Sequence, residues 1–404
     1  MGDLRYFRTM SKKWDLLVLV LLFHLVLPCN VMAFWPTSHA NYQRNGQTDE
    51  VGPLTPIIKW KFKGLDRYSA VVLGRDGVLY GSGRDTLYAI HENGKEKWHY
   101  QYQGGRVSIP AIGPDGTVYI VGVKEKAYLI ALSGDSGKVK WKGEVGQYSL
   151  EDWLPPIAVA STGRVYVAIG NSLSAFNPSG VKEWTYQLSP NPFGPTAPSL
   201  SLDEKTIYVY QRARGGLYAI NHDGTLKWHD SSPYSTDFSS PAVAPDGIIY
   251  LLDSAEAKLH AITPGGKKKW TAHFPGKQVG ASHAAIGKDG TVYVDIANSA
   301  SSEGGALYAI DSKRGKVKWK FEIKRGYVGA TIAVDGKGNL YFVAGDGNIY
   351  HLKPDGSLIW KYEVEGNPRF FYSYPAISDE TLYVINEKTG VLFAIGEKSK
   401  KPVK

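Results

Sequence analysis

Short segments rich in Val, Ile, Leu and Tyr alternate with turns that contain Gly, Pro, Asp or Asn along most of the chain. Segments of this length and composition indicate β-strands, and the Asp-Gly and Asn-Gly pairs favour hairpin turns between them. One unit of the pattern predicts four strands, at residues 108–113, 117–121, 127–132 and 139–144. The 45 glycines, 22 prolines and 26 tyrosines, against three methionines, also favour strands and tight turns over long helices. The chain is therefore predicted to be all-β.

Eight of the 11 tryptophans recur at intervals of 38 to 49 residues, in most cases close to 43. They are Trp60, Trp98, Trp141, Trp184, Trp228, Trp270, Trp319 and Trp360. Each of the last seven tryptophans is preceded by Leu-Tyr-Ala-Ile or a close variant and then by a glycine. The alanine of this phrase is replaced only in the seventh unit, by His351. A four-stranded repeat of about 43 residues is typical of a β-propeller blade. Because each tryptophan has the same place in its repeat, we predict that all eight pack between blades.

The two ends of the chain complete one another in this pattern. Residues 373–396 supply three strands of a unit, and no tryptophan-bearing strand follows them. Residues 56–64 contain Trp60 and predict a fourth strand with no three strands before it. Pairing of this N-terminal strand with the last three strands removes an exposed sheet edge. We therefore predict a closed, eight-bladed β-propeller of four-stranded blades.

The first 33 residues have the layout of a secretory signal. Basic residues precede an apolar run of 12 residues from Leu16 to Leu27, and Val31-Met32-Ala33 supplies small residues for cleavage. The run is short for a permanent span, which needs about 20 residues. We divide the chain into a signal peptide (1–33), a lead-in segment (34–53), the propeller (54–396) and a basic tail (397–404). The protein is expected to be exported to the periplasm, cell envelope or exterior, with no stable membrane span after cleavage.

Charge and cysteine content narrow the chemistry. The chain has 404 residues, of which 43% are hydrophobic, and its 47 Lys and Arg exceed its 38 Asp and Glu by nine. This composition excludes a disordered chain. The one cysteine, Cys29, lies in the signal segment, so the mature chain can form no disulfide and offers no thiolate to a metal. Phosphate-loop and zinc-protease motifs are also absent from the sequence. We expect no metal site and no nucleic-acid partner.

The phrase Leu-Tyr-Ala-Ile, a short turn, Gly, and then Lys-x-x-Trp resembles the repeat of the pyrroloquinoline-quinone-like (PQQ-like) β-propellers. The lead-in residues are similar to the segment that opens many exported members: Trp35-Pro36, Asn41, Arg44, Gly46 and Gly52-Pro53. The resemblance covers about residues 35–396 and implies the propeller fold. It leaves the activity open. The family includes quinoprotein dehydrogenases, which bind the quinone and calcium on the propeller axis, and non-catalytic scaffolds such as the lipoprotein of the outer-membrane β-barrel assembly machinery.

Several features favour a scaffold over a dehydrogenase. Such dehydrogenases typically stack the quinone on a disulfide of adjacent cysteines, and haem-carrying members need Cys-x-x-Cys-His; the mature chain has neither. Calcium needs several clustered oxygen ligands. Nothing in the sequence brings the candidate ligands together, which are Asp152, Asn171, Asp237 and Asp295. We therefore expect no cofactor, and PQQ with calcium only under the dehydrogenase alternative.

The loops that lead into the first strand of each blade supply a candidate ligand-binding face. In a propeller they open onto one end of the central channel, and here they combine aromatic rings with Arg and Asp. Flat rings can stack on a ligand and guanidinium groups can bind carboxylates, as a glycan or peptide site requires. The candidates are Arg67, Tyr68, Arg106, Asp152, Trp153, Asp237, Phe238, His283, Arg325, Tyr327 and Arg369. Packing within the loops explains the same residues equally well.

Three further features accompany these loops. His283 is aligned with a proline of five other blades, namely Pro110, Pro156, Pro198, Pro241 and Pro375. Phe193, Arg212 and Arg214 are placed at the same end of the propeller, as is an insertion at residues 296–305. The insertion is rich in small polar residues and is typical of a surface loop.

The leading hypothesis is an exported, non-catalytic binding or scaffold propeller at the cell envelope or outside the cell. Its partner is expected to be a protein or an anionic glycan, and the protein itself a monomer. One alternative is a PQQ-dependent quinoprotein oxidoreductase. The other is a polysaccharide-degrading propeller, in which His283 would act as a base beside Arg and Tyr. Under the leading hypothesis no residue is assigned a catalytic role.

Overall fold

The computed structural model describes residues 34–66, 69–148, 154, 157–190, 193–213, 215–232, 234, 239–275, 283–297, 304–324, 331–364 and 374–397. Every regular element in these ranges is a β-strand. The strands form eight antiparallel sheets in a ring, which confirms the predicted eight-bladed propeller. No helix among the described residues has the length and apolarity to cross a membrane.

The first four blades follow one another in chain order after the isolated strand β1 (Ile58–Phe62). Blade 1 contains β2 (Val71–Leu73), β3 (Leu79–Ser82), β4 (Thr86–Ile90) and β5 (Glu96–Gln101). Blade 2 contains β6 (Arg106–Val107), β7 (Ala111–Ile112), β8 (Val118–Val123), β9 (Lys126–Leu132) and β10 (Val139–Gln147). Blade 3 contains β11 (Ala158–Val159), β12 (Val165–Ile169), β13 (Ser172–Phe176) and β14 (Lys182–Gln187). Blade 4 contains β15 (Ser199–Leu200), β16 (Thr206–Gln211), β17 (Gly216–Asn221) and β18 (Leu226–Asp230).

The remaining blades repeat this order, and the last one closes the ring. Blade 5 contains β19 (Ala242–Val243), β20 (Ile249–Asp253), β21 (Lys258–Ile262) and β22 (Lys268–His273). Blade 6 contains β23 (Ala285–Ile286), β24 (Val292–Ala297), β25 (Gly305–Ile310) and β26 (Val317–Ile323). Blade 7 contains β27 (Ala333–Val334), β28 (Leu340–Val343), β29 (Asn348–Leu352) and β30 (Leu358–Glu363). Blade 8 contains β31 (Ala376–Ser378), β32 (Thr381–Asn386) and β33 (Val391–Gly396), with β1 as its outer strand.

Blade 2 departs slightly from the predicted strand pattern. The strand predicted at residues 108–113 is reduced to β7, and β6 lies just before the predicted range; both pair with β8. Pro110 lies in the gap and has no amide hydrogen to donate. The hydroxyl of Ser108 in the same gap accepts the amide of Val121 at 2.9 Å, so the ladder continues through a side chain.

Each blade contains a row of three residues across its second, third and fourth strands. The alanine of the repeat phrase is paired with a tyrosine on one side and with the tryptophan on the other, as in Tyr80, Ala89 and Trp98. The tyrosine and tryptophan ring centroids lie 5.7–6.0 Å apart in all eight blades. In seven blades the residue between the two rings is alanine, and in blade 7 it is His351.

Seven of the eight tryptophans also join their blade to the next one by a hydrogen bond. The indole Nε1 donates to a backbone carbonyl in the turn between the third and fourth strands of the next blade, at 2.6–3.1 Å. The glycine of that turn has positive φ, and a Cβ there would lie 2.5–2.8 Å from the tryptophan ring. Both the turn conformation and the close approach therefore require glycine.

The seam between blades 7 and 8 is built differently. The Nε1 of Trp360 is buried without a hydrogen-bond partner, in contrast to the other seven indoles. His351, which replaces alanine in this blade, is fully buried and stacks on Tyr341 with ring centroids 4.1 Å apart. Burial lowers the pKa of His351 to about 4. The hydroxyl of Tyr341 donates to the carbonyl of Pro53 at 3.2 Å, so the lead-in segment takes part in this seam.

Candidate functional site

The two ends of the propeller are distinguished by the direction of the first strands. We call the end where each first strand begins the upper face, and the end where it finishes the lower face. The loops predicted to bind a ligand lead into the upper face. The turns after the first and third strands lie at the lower face.

The lead-in segment crosses the lower face and makes a hydrogen bond to each of the eight blades. First strands of a propeller have an unpaired inner edge, and a buried unpaired amide or carbonyl destabilises the fold. The bonds join Trp35 to Leu73, Pro36 to Ile112, Arg44 to Ile157, Tyr42 to Leu200, Gln43 to Val243, Asn45 to Ile286, Gly46 to Val334 and Val51 to Glu380. The segment therefore fills the lower half of the channel with the protein's own chain.

Arg44 is the most buried cation of this segment, at 1% exposure. Its guanidinium donates to the carbonyls of Pro198 at 2.9 Å and of Ile157 at 3.2 Å, which belong to neighbouring blades. It also donates to the carbonyl of Ser38 at 3.2 Å. Burial lowers the pKa of Arg44 to about 10, which still leaves it charged at neutral pH.

His39 lies inside the ring of first strands, on the channel side of the segment. It has a φ of 83° in a turn closed by a bridge between Thr37 and Ala40. Its ring centroid is 4.2 Å from that of His283 in blade 6 and 5.8 Å from that of Tyr374 in blade 8. All three side chains are buried. The axis at this level is thus occupied by aromatic side chains.

Both histidines are held neutral by their surroundings. Burial lowers the pKa of His283 to about 3, and the charge of Arg44 acts in the same direction. Burial, followed by the charges of His283 and Arg44, lowers the pKa of His39 well below its usual value. The Nδ1 of His283 accepts the amide of Ser240 at 3.1 Å, so the proton of the neutral ring lies on Nε2. That Nε2 and both ring nitrogens of His39 are buried without a hydrogen-bond partner.

The alignment of His283 with five prolines is wrong for four of them. The strand pairing places Ala285 opposite Tyr293 and Ala111 opposite Tyr119, so His283 corresponds to Ile109 rather than Pro110. In the other blades, the same register places Pro156 at the position of His283. The remaining four prolines each lie one residue nearer the first strand: Pro110, Pro198, Pro241 and Pro375. The sequence alignment did not detect this one-residue offset, because no local sequence feature shows which residues of such short strands are paired.

Of the 11 residues predicted to form the ligand-binding face, the structure describes Arg106 and His283. The others lie outside the described residues: Arg67, Tyr68, Asp152, Trp153, Asp237, Phe238, Arg325, Tyr327 and Arg369. His283 is buried in the channel and Arg106 is exposed, so these two candidates have different environments. Arg106 lines a cleft of about 40 Å³ between blades 1 and 2, together with Asp66, Arg84 and Leu154.

An exposed aromatic and cationic pair lies on the upper face of blade 4. The side chain of Phe193 is 51% exposed, and the Cζ of Arg212 is 5.8 Å from its ring centroid. Below them, Nε2 of Gln211 donates to Oδ1 of Asn171 in blade 3 at 3.0 Å.

Arg214 lies outside the described residues. Of the predicted insertion, residues 296–297 and 305 belong to strands β24 and β25, residue 304 is described between them, and residues 298–303 are not described.

Asp295 of β24 is a buried carboxyl that the sequence analysis considered only as a calcium ligand. It is fully buried, and neither of its oxygens has a hydrogen-bond partner. Burial therefore raises its pKa well above the usual value. The equivalent position, two residues after the paired tyrosine, is uncharged in the other blades: Ser82, Val121, Ala168, Tyr210, Leu252, Val343 and Ile385. An acidic residue in this position is unexpected on packing grounds alone.

Replacing Asp295 with valine, which blades 2 and 7 have at this position, should stabilise the protein at pH 7 by about 1–3 kcal/mol. The folded-state pKa is raised, so the wild type loses stability as the pH rises above about 4, where the unfolded carboxyl ionises. The gain in the variant should therefore increase between pH 4 and pH 7, as measured by urea unfolding.

Asp253 offers a matched control in blade 5. It is 3% exposed, but its Oδ1 accepts the amide of Glu256 at 3.2 Å. Asp253→Val should therefore destabilise the protein. Equal losses of stability in both variants would show that Asp295 is stabilised in a way that its environment does not indicate.

The described residues offer no calcium site of the kind considered from the sequence. Among them there is no group of three or more His, Cys, Asp or Glu side chains placed to hold a metal. Asn171 is hydrogen-bonded in blade 3 and Asp295 is buried in blade 6, while Asp152 and Asp237 are not described. The described part of the axis instead presents Arg44 and neutral histidines, which do not suit a hard cation that prefers oxygen ligands.

A larger cavity lies at the lower face between blades 1 and 2. Its volume is about 390 Å³, and its lining includes Phe34, Arg75, Asp76, Asp115 and Lys140. Several of these groups already have partners, since Nζ of Lys140 lies 3.2 Å from Oδ2 of Asp115. The sequence analysis gave no signal for this cavity, because its lining comes from turns of two blades and from the start of the lead-in segment.

Solved structures with a similar fold include two dehydrogenases and one BamB protein. A europium-containing methanol dehydrogenase has a TM-score of 0.67 and 13% identity, over 87% of this chain and 89% of that chain. A quinohemoprotein alcohol dehydrogenase from Comamonas testosteroni has a TM-score of 0.66 and 13% identity, over 92% of this chain and 82% of that chain. BamB from Moraxella catarrhalis has a TM-score of 0.64 and 17% identity, over 86% of this chain and 99% of that chain. At these identities the likeness concerns the fold alone.

Comparison at the level of sequence gives a narrower result. No curated protein sequence matches the chain significantly. The profile of the family described as outer membrane protein assembly factor BamB matches residues 59–150, 83–241, 145–287 and 303–399. These matches cover most of the chain and coincide with the blades. The chain therefore belongs to the family of PQQ-like propellers described as outer membrane protein assembly factor BamB.

Proposed function

We propose that this protein is an exported, non-catalytic propeller that binds a protein partner through its upper face. One observation carries the proposal: five of the buried polar atoms that have no partner among the described residues lie toward the upper face of blades 4 to 6. They are Oε1 of Gln211, Oγ of Ser239, Nε2 of His283 and both carboxyl oxygens of Asp295. Polar groups left unpaired in a fold lower its stability, and they are found where a ligand or water completes them.

The upper face suits a macromolecule better than a small molecule. Its cleft around Arg106, between blades 1 and 2, has a volume of about 40 Å³, whereas small-molecule sites are typically about 300–1,000 Å³. The exposed ring of Phe193, with Arg212 beside it, is of the residue type that contributes most to protein interfaces. An anionic glycan with carboxylates could use the same arginines, and it is the second ligand class that the experiment below distinguishes.

Export and the lack of catalysis have separate support. The signal-like first 33 residues and the family described by an outer-membrane assembly factor both favour a role at the cell envelope. The lead-in segment, with His39 and Arg44 near the axis, occupies part of the volume in which quinoprotein relatives are expected to hold their cofactor. Proteins similar in fold include dehydrogenases, so the oxidoreductase alternative is tested directly.

The face that binds can be identified by cross-linking, because the chain beginning after residue 33 contains no cysteine. Single cysteines at Phe193 and Leu226 give a matched pair in blade 4, since these side chains are 51% and 46% exposed and lie at opposite faces. A photo-cross-linker at position 193 should give discrete protein adducts with envelope extracts of the source cells, and the same group at position 226 should not. Adducts that resist glycosidase but not protease would be expected for a protein partner.

Two results would contradict the proposal. Equal adducts from both positions would indicate non-specific capture, and adducts sensitive only to glycosidase would assign the upper face to a glycan. For the oxidoreductase alternative, the purified protein is titrated with PQQ and calcium while its melting temperature is followed. A saturable increase would show a cofactor site by mass action. We expect no shift.

A further inference from the structure

The seam between blades 5 and 6 at the lower face has two lysines in the positions that form an ion pair in another seam. The two positions are the residue before the tryptophan and the residue after the carbonyl that accepts its hydrogen bond. Between blades 1 and 2 these are Lys97 and Asp135, whose Nζ and Oδ1 are 4.0 Å apart. Nζ of Lys97 also lies 3.8 Å from Oδ2 of Asp76. This seam is neutralised by carboxylates.

The equivalent residues between blades 5 and 6 are both lysines. Nε1 of Trp270 donates to the carbonyl of Ser312 at 2.8 Å, which places Lys269 and Lys313 in the positions of Lys97 and Asp135. The other seams with this hydrogen bond have at most one cation in the pair: Lys59 and Asn93, Lys140 and Ser179, Glu183 and Asp223, Lys227 and Gly265, and Lys318 and Asp355. The repeated architecture thus serves as an internal control.

Further exposed cations surround this pair. We define the blade 5–6 cation cluster as Lys267, Lys269, Lys313, Arg314 and Lys316, all of which are exposed. Lys268 lies over the ring of Tyr234 at 5.2 Å, on the side of blade 5 that faces blade 4, and does not belong to the cluster. None of the five has a carboxylate within 4.0 Å among the described residues.

Neighbouring lysines of blade 6 are neutralised and do not belong to the cluster. Nζ of Lys318 is 3.4 Å from Asp289, and Nζ of Lys320 is 2.7 Å from Glu322. The acidic groups nearest in sequence to the cluster are also used locally. Oδ1 of Asp311 accepts the amides of Lys313 and Arg314, each at 2.9 Å. The cluster therefore keeps an excess of positive charge, whose mutual repulsion a bound anion would relieve.

We propose that the blade 5–6 cation cluster binds a phosphate-bearing linear polyanion. The planar guanidinium of Arg314 and the point charges of the lysines suit phosphate oxygens. The cations lie on an open surface across two blades, where a single small anion gains little against solvent. A polymer that contacts several of them at once releases condensed counterions and gains affinity from each contact. This site is independent of the proposed function, because it lies at the lower face.

The probe for this site is long-chain inorganic polyphosphate, titrated into the full mature protein at salt concentrations between about 50 and 200 mM. The test variant carries Lys269→Glu and Lys313→Asp together, which restores carboxylates like that of blade 2. The control variant carries Lys95→Glu and Lys138→Glu, two exposed lysines at the lower face of blades 1 and 2. Both variants change the net charge equally. Melting temperatures of both are measured first, to show that each variant is folded.

The test variant should bind polyphosphate about tenfold more weakly than wild type, and the slope of log affinity against log salt should fall by about 2. The control variant should bind within about threefold of wild type. Equal weakening of both variants would overturn the proposal, because net charge alone would then explain binding. Poly-glutamate of equal length that binds as well as polyphosphate would also overturn it, since phosphate would then have no advantage.

Discussion

Replacing Arg44 with alanine is expected to lower the free energy of unfolding by about 3–5 kcal/mol. The guanidinium donates to carbonyls of blades 3 and 4 and to the lead-in segment itself, at 1% exposure. Without the guanidinium, these carbonyls lose their charged donor. The cavity that the shorter side chain leaves cannot be filled by the neighbouring first strands. Urea unfolding monitored by tryptophan fluorescence measures the loss directly.

Two variants separate the causes of this loss. Arg75 also lies at the lower face, exposed and with its Cζ 4.9 Å from the ring centroid of Phe34, and Arg75→Ala should cost less than about 1 kcal/mol. Arg44→Met keeps most of the side-chain volume but donates no hydrogen bond. A methionine variant as stable as wild type would show that Arg44 acts through its volume and that its hydrogen bonds contribute nothing net.

Acidification from pH 6.5 to about 4 is expected to cost about 3 kcal/mol through His351 alone. Its pKa is lowered by burial, so in this window the unfolded chain takes up a proton that the folded protein excludes. The free energy of unfolding therefore falls as the pH is lowered, until the pH reaches the folded-state pKa of His351. Below that pH, the loss caused by His351 stays constant. His283 adds to the loss over a window that extends to about pH 3. Unfolding free energies measured at several pH values report the slope.

His351→Ala restores the residue that the other seven blades have, and it provides the specific test. The variant loses the stacking on Tyr341 and should be less stable than wild type at pH 7, by about 1–2 kcal/mol. Its loss on acidification should be smaller, so the difference between the two proteins should narrow or reverse near pH 4. His273→Ala, which removes an exposed histidine of blade 5, serves as the control variant. Parallel curves for wild type and His351→Ala would refute the assignment.

The lead-in segment shows where sequence reasoning stopped. Its resemblance to exported PQQ-like propellers singled out Trp35, Arg44 and Gly46, but gave no reason for them. In the structure Trp35 pairs with blade 1, and a Cβ on Gly46 would lie 2.6 Å from the carbonyl of Ile332. These contacts join positions that are far apart in the chain, and no local pattern encodes them. That the lead-in segment covers the lower face could therefore be recognised only from the structure.

The candidate site was predictable only in part, for a related reason. Aligning the loops predicted which residues approach the upper face, because each loop has the same place in the repeat. Whether a residue is exposed there depends on neighbours from other blades, as the buried His283 and the exposed Arg106 show. Asp295 could have been found from the sequence, since comparison of equivalent second-strand positions reveals a carboxylate among uncharged residues.

The propeller, its eight blades and the closure of its ring could be predicted from the sequence. These follow from strand periodicity, turn residues and tryptophan spacing, which act within one repeat of about 43 residues. The contacts that join the blades at the axis, the polar groups that remain unpaired and the residues that face one another across a seam became evident only in the assembled fold. Such features depend on side chains that are distant in sequence but adjacent in space. These features could not be predicted because the burial and the charge partners of a side chain depend on residues from neighbouring blades, which the sequence of one blade does not include.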